Sequence, residues 1–225
     1  LVVRGTPLFR LFEKGEFKPI ETARAAEVIG DAFGHFPRYV RVMRVQRDIP
    51  TPNISGGVVN SNLRQFVDKY MLENNIESND IRAREIGFRE ASGLKSSGKF
   101  EIKVEEYVGS SGKEFFIDAV DNNDSMIGFI RLRFPSKVGF RSEIVEGTAL
   151  IRELHVYGSM TSVGSSGSAH QHKGWGKRLL SKAEEIARKA GFKKMAIISG
   201  VGVREYYGKQ GYNLEGVYMV KNLLI

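Results

Sequence analysis

The 225-residue sequence contains no cysteine. That absence removes disulfides, a thiolate nucleophile, cysteine-held iron–sulfur clusters and cysteine zinc sites from the chemistry of the chain. No apolar run approaches the roughly 18–20 residues needed to cross a bilayer. The opening Leu1-Val2-Val3 is too short for the apolar core of a signal peptide. These absences point to a cytoplasmic protein without a membrane partner. What is present is globular in balance, with 41% hydrophobic and 27% charged residues, so disorder is not the expected state. The length accommodates one large domain, or one domain and a substantial appendage. A net charge of +8 and a pI near 9.6 suit an acidic partner such as nucleic acid, or simply a basic surface. The chain starts at Leu1 and enters the strand-like LVVRG at once, which reads as a fragment of something longer.

The most informative stretch runs from Gly147 to Ala190. An apolar run, Ala149 to Tyr157, leads through a Gly/Ser-rich loop to Gln171-His172-Lys173-Gly174-Trp175-Gly176 and then to an amphipathic helix. Leu179, Leu180, Ala183, Ile186, Ala187 and Ala190 share one face at helical spacing, while Lys177, Arg178, Lys182, Glu184, Glu185, Arg188 and Lys189 fall on the other. Gly191 stands where a left-handed cap belongs. A strand feeding a glycine-bearing turn that opens a helix suits a phosphate, because the first N–H groups of a helix lack partners and its dipole is positive there. The P-loop pattern fails, since Arg178 follows Lys177 where a hydroxyl is needed for Mg2+. The dinucleotide fingerprint fails as well, because Lys177, Arg178 and Leu179 follow Gly176. The pattern that fits is Gln/Arg-x-x-Gly-x-Gly/Ala, met by Gln171, Gly174 and Gly176. It resembles the pyrophosphate turn of the GNAT acetyltransferases, which bind coenzyme A.

The remaining pattern predicts a strand at Leu1–Arg4, a helix over Glu21–Phe36 and a strand at Tyr39–Val45. A helix over Leu63–Asn75 would bury Phe66, Val67, Tyr70 and Met71. A polar crossing, Ile76–Gly87, and a linker around Ala91–Gly98 come next. Strands follow at Phe100–Val108, Glu114–Val120, Met126–Phe134, Thr148–Tyr157 and Lys194–Ser199, with a hairpin at Gly109-Ser110-Ser111-Gly112. A short helix, Arg204–Gln210, and a strand, Val217–Leu224, close the chain. The fold class is therefore α+β, with a mixed, largely antiparallel sheet flanked by helices.

Several segments together carry a more specific likeness: Ala149–Gly158, Gln171-His172 into Gly174-Trp175-Gly176, Ile198–Tyr207, and Tyr218-Met219-Val220-Lys221. With Val42–Pro50 and Ser61-Asn62-Leu63-Arg64, they resemble the family of Elongator catalytic subunits, and the likeness covers essentially the whole chain. That family joins a radical-SAM domain to a GNAT-like acetyltransferase domain. The resemblance implies the tail of a radical-SAM β/α barrel over residues 1–75, a crossing over 76–90 and an acetyltransferase domain over 91–225. It also implies formation of a carboxymethyl group on the wobble uridine of tRNA, with acetyl-CoA as acetyl donor. S-adenosylmethionine and an iron–sulfur cluster would serve the radical step, their ligands lying outside this sequence. The implied partners are the anticodon region of tRNA, and a homodimer or Elongator subunits.

Carried onto this sequence, the likeness places acetyl-CoA against Glu153, Leu154, His155 and Val156, and its pyrophosphate at Gln171, Gly174, Trp175, Gly176 and Lys177. Tyr207 would lie near the sulfur, so Glu153, His155 and Tyr207 are the candidate catalytic residues. Glu153 and His155 also read as a structural pair on one strand face, and Tyr206 and Tyr207 as packing residues of a short helix. Arg38, Arg41, Arg44, Arg47, Arg64, Arg82 and Arg84 are the candidate tRNA contacts, arginine suiting phosphate through its planar fork. Two departures from the family stand out. Ser78, Asp80 and Ala83 occupy positions where the family carries zinc-binding cysteines, so no metal is expected there, and Arg82, Arg84 and Glu85 would supply polar contacts instead. The loop Ser162–Ala169 is unusually rich in Ser and Gly, which leaves its part in gating the coenzyme open. A protein lysine acetyltransferase of the histone type, and an RNA-binding module with a vestigial coenzyme pocket, are the alternative functions.

Overall fold

The computed structural model describes residues 1–46, 49–136, 141–158 and 174–223. The chain divides into two compact units, Leu1–Ala83 and Arg84–Ile225. In the first, β1 (Val2–Val3) pairs antiparallel with β2 (Ile54–Gly56), and three helices follow the chain: α1 (Pro7–Glu13), α2 (Thr22–Phe33) and α3 (Leu63–Glu73). The sequence reading missed α1, although its start is well marked. Thr6 accepts the Phe9 N–H and Pro7 occupies the first turn, where its missing donor costs nothing. The core is built from Ala25, Ala26 and Phe33 of α2 against Leu63, Val67 and Met71 of α3, with Val58 beside them. The buried stripe of α3 thus repeats every fourth residue, and Phe66, expected inside, is 37% exposed.

Tyr39–Val45 forms no strand. Its arginines recur every third residue, a period that keeps no strand face. Its backbone bonds instead to the segment around residue 80: Val40 O accepts the Ile81 N–H at 2.9 Å and the Val42 N–H donates to Asp80 at 3.4 Å. The expected polar crossing contains two short helices, α4 (Ile81–Arg84) and α5 (Ile86–Ala91). Asp80, fully buried, opens α4 by accepting the N–H groups of Arg82 and Ala83 together with the Ser78 hydroxyl. Asp80 and Ser78 thus make polar contacts of their own at this place.

The second unit is a seven-stranded sheet in the order β3-β4-β5-β6-β7-β9-β8. Its strands are β3 (Phe100–Gly109), β4 (Gly112–Asp121), β5 (Met126–Phe134), β6 (Thr148–Val156), β7 (Lys194–Ile198), β8 (Asn213–Glu215) and β9 (Tyr218–Asn222). All neighbours are antiparallel except β6 and β7. The parallel pair needs a crossover, and α6 (Trp175–Lys189) lies between its strands in sequence; α7 (Arg204–Gly208) follows β7. β8, three residues long, was not legible in the pattern. Leu179, Leu180, Ala183 and Ala187 of α6 pack with Ile117, Ile130, Leu132 and Ile151 in the main core. Gly128 on β5 is required by its neighbour β6 rather than by the helix, because a Cβ there would stand 2.6 Å from the His155 carbonyl oxygen but at an ordinary 3.4 Å from Leu179. α6 ends as its glycine implies. Gly191 adopts φ +83°, its N–H bonds to Arg188 O, and the Phe192 N–H reaches back to Ala187 O.

Two buried carboxylates are each held by several hydrogen bonds. Glu184, assigned to the polar face of α6, is buried and accepts from Tyr212 Oη at 2.9 Å, Lys221 Nζ at 2.9 Å and Arg188 at 2.8 Å. Asp121 closes the β4–β5 turn over the segment that precedes β3. Burial works against its charge, but bonds from the N–H groups of Ser97 and Ser125, the Ser96 hydroxyl and the Asn123 N–H outweigh it and hold the carboxyl below the usual aspartate value. A depressed carboxyl contributes stability that is fully present above the unfolded value of about 3.9 and is lost as pH falls through the folded one. Urea midpoints from pH 6 to pH 2 should therefore fall less below about pH 4 in Asp121→Asn than in the parent. Parallel curves would show that the carboxylate contributes nothing.

Candidate active site

β6 and β7 stay paired only from Thr148↔Lys194 to Ile151↔Ile197, yet β6 continues to Val156 along β5. A bulge accompanies the parting: Arg131 faces Glu153 and Leu132 faces Ile151, so Arg152 has no register partner. Beyond Ile151 the sheet opens into a cleft of about 550 Å³ lined by Leu154, Val156, Gly174, Gly176, Lys177, Val203, Tyr206, Tyr207 and Gln210. Tyr157 donates its N–H to Ile127 O on β5 at 2.7 Å. Strand alternation then turns the N–H and C=O groups of Leu154 and Val156 away from β5, toward the gap.

One end of the cleft is the start of α6. Gly174 precedes the helix with φ +91°, a left-handed conformation that a side chain would strain, and its carbonyl accepts the Arg178 N–H. The N–H groups of Trp175, Gly176 and Lys177 precede that first helical bond and have no intrahelical acceptor. The helix dipole adds partial positive charge at the same place. Trp175 itself is buried, edge-on to Phe100 at 5.8 Å, with the Arg178 guanidinium 3.7 Å from the centre of its ring.

Of the residues expected to hold coenzyme, Leu154, Val156, Gly174, Gly176, Lys177 and Tyr207 line the cleft. Gln171 lies outside the described residues, as does the loop Ser162–Ala169. The side chains of Glu153 and His155 belong to the other face of β6, which alternation dictates once Leu154 and Val156 face the cleft. There Glu153 sits 3.3 Å from Arg131 Nε and 3.5 Å from His155 Nε2, and the His155 ring stacks on Phe129 at 5.1 Å. Sequence reasoning missed Val203 and Gln210 as lining residues and left Tyr206 to packing. Burial pushes both phenols up, Tyr207 also through its neighbour Tyr206, so each keeps its proton at neutral pH.

The candidate tRNA contacts differ in setting. Arg44 and Arg82 are exposed, and Arg38 and Arg41 half-buried. Arg64 pairs with Asp68 at 2.7 Å and lies over the Phe33 ring, while Arg47 is outside the described residues. Arg84 is 1% exposed with Nη1 2.7 Å from Asp118. A guanidinium so placed does not reach a phosphate at the surface, which corrects its assignment as an RNA contact. Among the described residues, no group of three or more His, Asp or Glu side chains is arranged to hold a metal ion. No described helix is long and apolar enough to cross a membrane.

The likeness to known proteins falls in two parts along the chain. Residues 1–73 match the Radical_SAM C-terminal domain and residues 82–212 match the Acetyltransferase (GNAT) family. Zebrafish (Danio rerio) Elongator complex protein 3 is 42% identical over 99% of this chain, which covers 41% of that relative. The tRNA uridine(34) acetyltransferase of Methanocaldococcus jannaschii is likewise 42% identical over 99% of the chain, covering 42% of its own length. The archaeal Methanocaldococcus infernus Elp3 with an N-terminal deletion superposes with a TM-score of 0.90 at 41% identity, over 99% of this chain and 53% of that one. The chain thus spans about two fifths of the length of these curated relatives. It belongs to the GNAT acetyltransferase family, in the Elongator-like form in which that domain follows a radical-SAM C-terminal domain.

Proposed function

We propose that the chain is the acetyl-CoA-binding portion of a tRNA-modifying enzyme acting on uridine 34, and that it cleaves the thioester on the way to a 5-carboxymethyl group. The observation that carries this reading is the parting of β6 and β7 in front of the first turn of α6. Coenzyme A has the matching chemistry. Its diphosphate suits the N–H groups of Trp175, Gly176 and Lys177, and its pantetheine amides suit the turned-out backbone of Leu154 and Val156. When the carbon–sulfur bond breaks, the thiolate needs a proton, and the Tyr207 O–H is a donor in the cleft wall. Glu153 and His155, on the far face of β6, would take the proton of an attacking water that approaches from that side. The proposed tRNA contacts are Arg38, Arg41, Arg44, Arg47, Arg64 and Arg82, without Arg84. Elongator-type subunits are proposed as further partners. With no cysteine in the sequence, no residue here is assigned to thiolate ligation of an iron–sulfur cluster, and the radical step is assigned to no residue of this chain.

Calorimetric titration with acetyl-CoA should give micromolar binding. Thiol release from acetyl-CoA should then rise on addition of tRNA and stay flat with a lysine-bearing peptide. Absence of binding would remove the coenzyme reading. Stimulation by the peptide rather than tRNA would move the function to protein acetylation.

A further inference from the structure

The two adjacent tyrosines of α7 occupy different surroundings. Tyr207 is 7% exposed and belongs to the main core, edge-on to Tyr212 at 6.1 Å. Tyr206 meets Tyr207 edge-on at 5.2 Å and is 38% exposed, its ring standing in the wall of the cleft. Its hydroxyl is lodged against the first turn of α6: a Cβ added to Gly176 would lie 2.6 Å from Tyr206 Oη. Glycine at 176 therefore has a reason beyond access for a phosphate, since any side chain would displace this hydroxyl. Among the described residues the hydroxyl has no hydrogen-bond partner, although the phenol is partly desolvated. A polar group moved partly out of water with nothing to bond is costly unless something completes it.

The position says what would complete it. The N–H groups of Trp175, Gly176 and Lys177 lack intrahelical acceptors, and the Tyr206 O–H stands against the same first turn. All are neutral donors at the same end of the cleft, and an anion rich in acceptor oxygens would satisfy them together. Arg178, the nearest guanidinium in sequence, lies over Trp175 instead and does not line the cleft. We propose that Tyr206 binds the diphosphate of the ligand, its Oη–H donating to a phosphate oxygen held at the start of α6. This assignment rests on the coenzyme A reading of the cleft and adds to it a residue that selects for the diphosphate. Tyr206 thus adds a side-chain donor beside the first turn of the helix, while Tyr207, one residue on, remains with the acyl end.

The test compares the full chain with Tyr206→Phe, which keeps the ring and removes only the donor. Acetyl-CoA is titrated calorimetrically, and S-acetylpantetheine, which has no diphosphate, is titrated by protein-observed NMR. Affinity for acetyl-CoA should fall roughly tenfold or more, the loss of one hydrogen bond to a charged group. Affinity for S-acetylpantetheine should be the same in both proteins, with melting temperatures unchanged. Equal loss for both ligands would make Tyr206 a part of the cleft wall only and overturn the proposal. An unchanged affinity for acetyl-CoA would overturn it too, leaving the coenzyme reading intact. A parent chain that binds no acetyl-CoA would overturn both.

Discussion

Gly176→Asp is expected to weaken acetyl-CoA binding at least 100-fold while leaving the melting temperature nearly unchanged. The new carboxylate would stand in the first turn of α6, in front of the N–H groups proposed to hold phosphate. Two like charges about 4 Å apart at an effective dielectric constant near 20 repel by about 4 kcal/mol, which exceeds a hundredfold change in affinity. The fold should tolerate the change, because an acidic residue suits a helix N-terminus by about 0.3–1 kcal/mol and glycine is a poor residue within a helix. The local cost is displacement of the Tyr206 hydroxyl, the far end of a movable side chain. Gly176→Ala separates the two effects, since it displaces Tyr206 without adding charge and should lose much less. Calorimetry on the three proteins decides the matter. Equal affinity in all three would mean that phosphate binds somewhere other than the start of α6.

The second large effect concerns stability. Arg84→Met should lower the stability of the chain by about 3–5 kcal/mol, the usual cost of removing one partner of a buried ion pair. Arg84 Nη1 lies 2.7 Å from Asp118 Oδ2 and 3.7 Å from Asp124, and both Arg84 and Asp118 are almost wholly enclosed. Losing the guanidinium leaves the Asp118 carboxylate in a site that disfavours charge. The double variant Arg84→Met, Asp118→Leu should recover a good part of the loss, because it removes the stranded charge and fills the space with apolar groups. Urea unfolding of the parent, both single variants and the double variant supplies the cycle. Additive losses would show that the two side chains act independently.

What the sequence discloses depends on how far each signal reaches along the chain. The unit from β6 through α6 to β7 was legible because α6 has a periodic apolar face, a glycine at each end and a long strand before it. Each of those is a local signal that tertiary packing reinforces. The face of β6 was legible too, but only in part: alternation alone separates Leu154 and Val156 from Glu153 and His155, whereas the family likeness had placed all four side by side. Arg84 and Glu184 were misplaced for a common reason. Whether a charge is buried depends on a partner 34 residues away for Arg84, and on partners 28 and 37 residues away for Glu184. No window of sequence around either residue contains that information. Tyr206 is similar, since its meaning comes from Gly176, which precedes it by 30 positions.

The parting of β6 from β7 has a consequence for how the protein keeps to itself. From Thr148 to Ile151, β6 is an interior strand, bonded on both sides; beyond that point, among the described residues, it pairs with β5 alone and becomes an edge strand in the middle of a sheet. An edge with unpaired N–H and C=O groups invites a strand from another molecule, and proteins ordinarily blunt such edges or cover them. Here the guard is local: α6 begins at one end of the gap, and Val203, Tyr206 and Tyr207 form its opposite wall. The same groups that would receive a thin, amide-bearing ligand stand in the way of a polypeptide strand trying to extend the sheet.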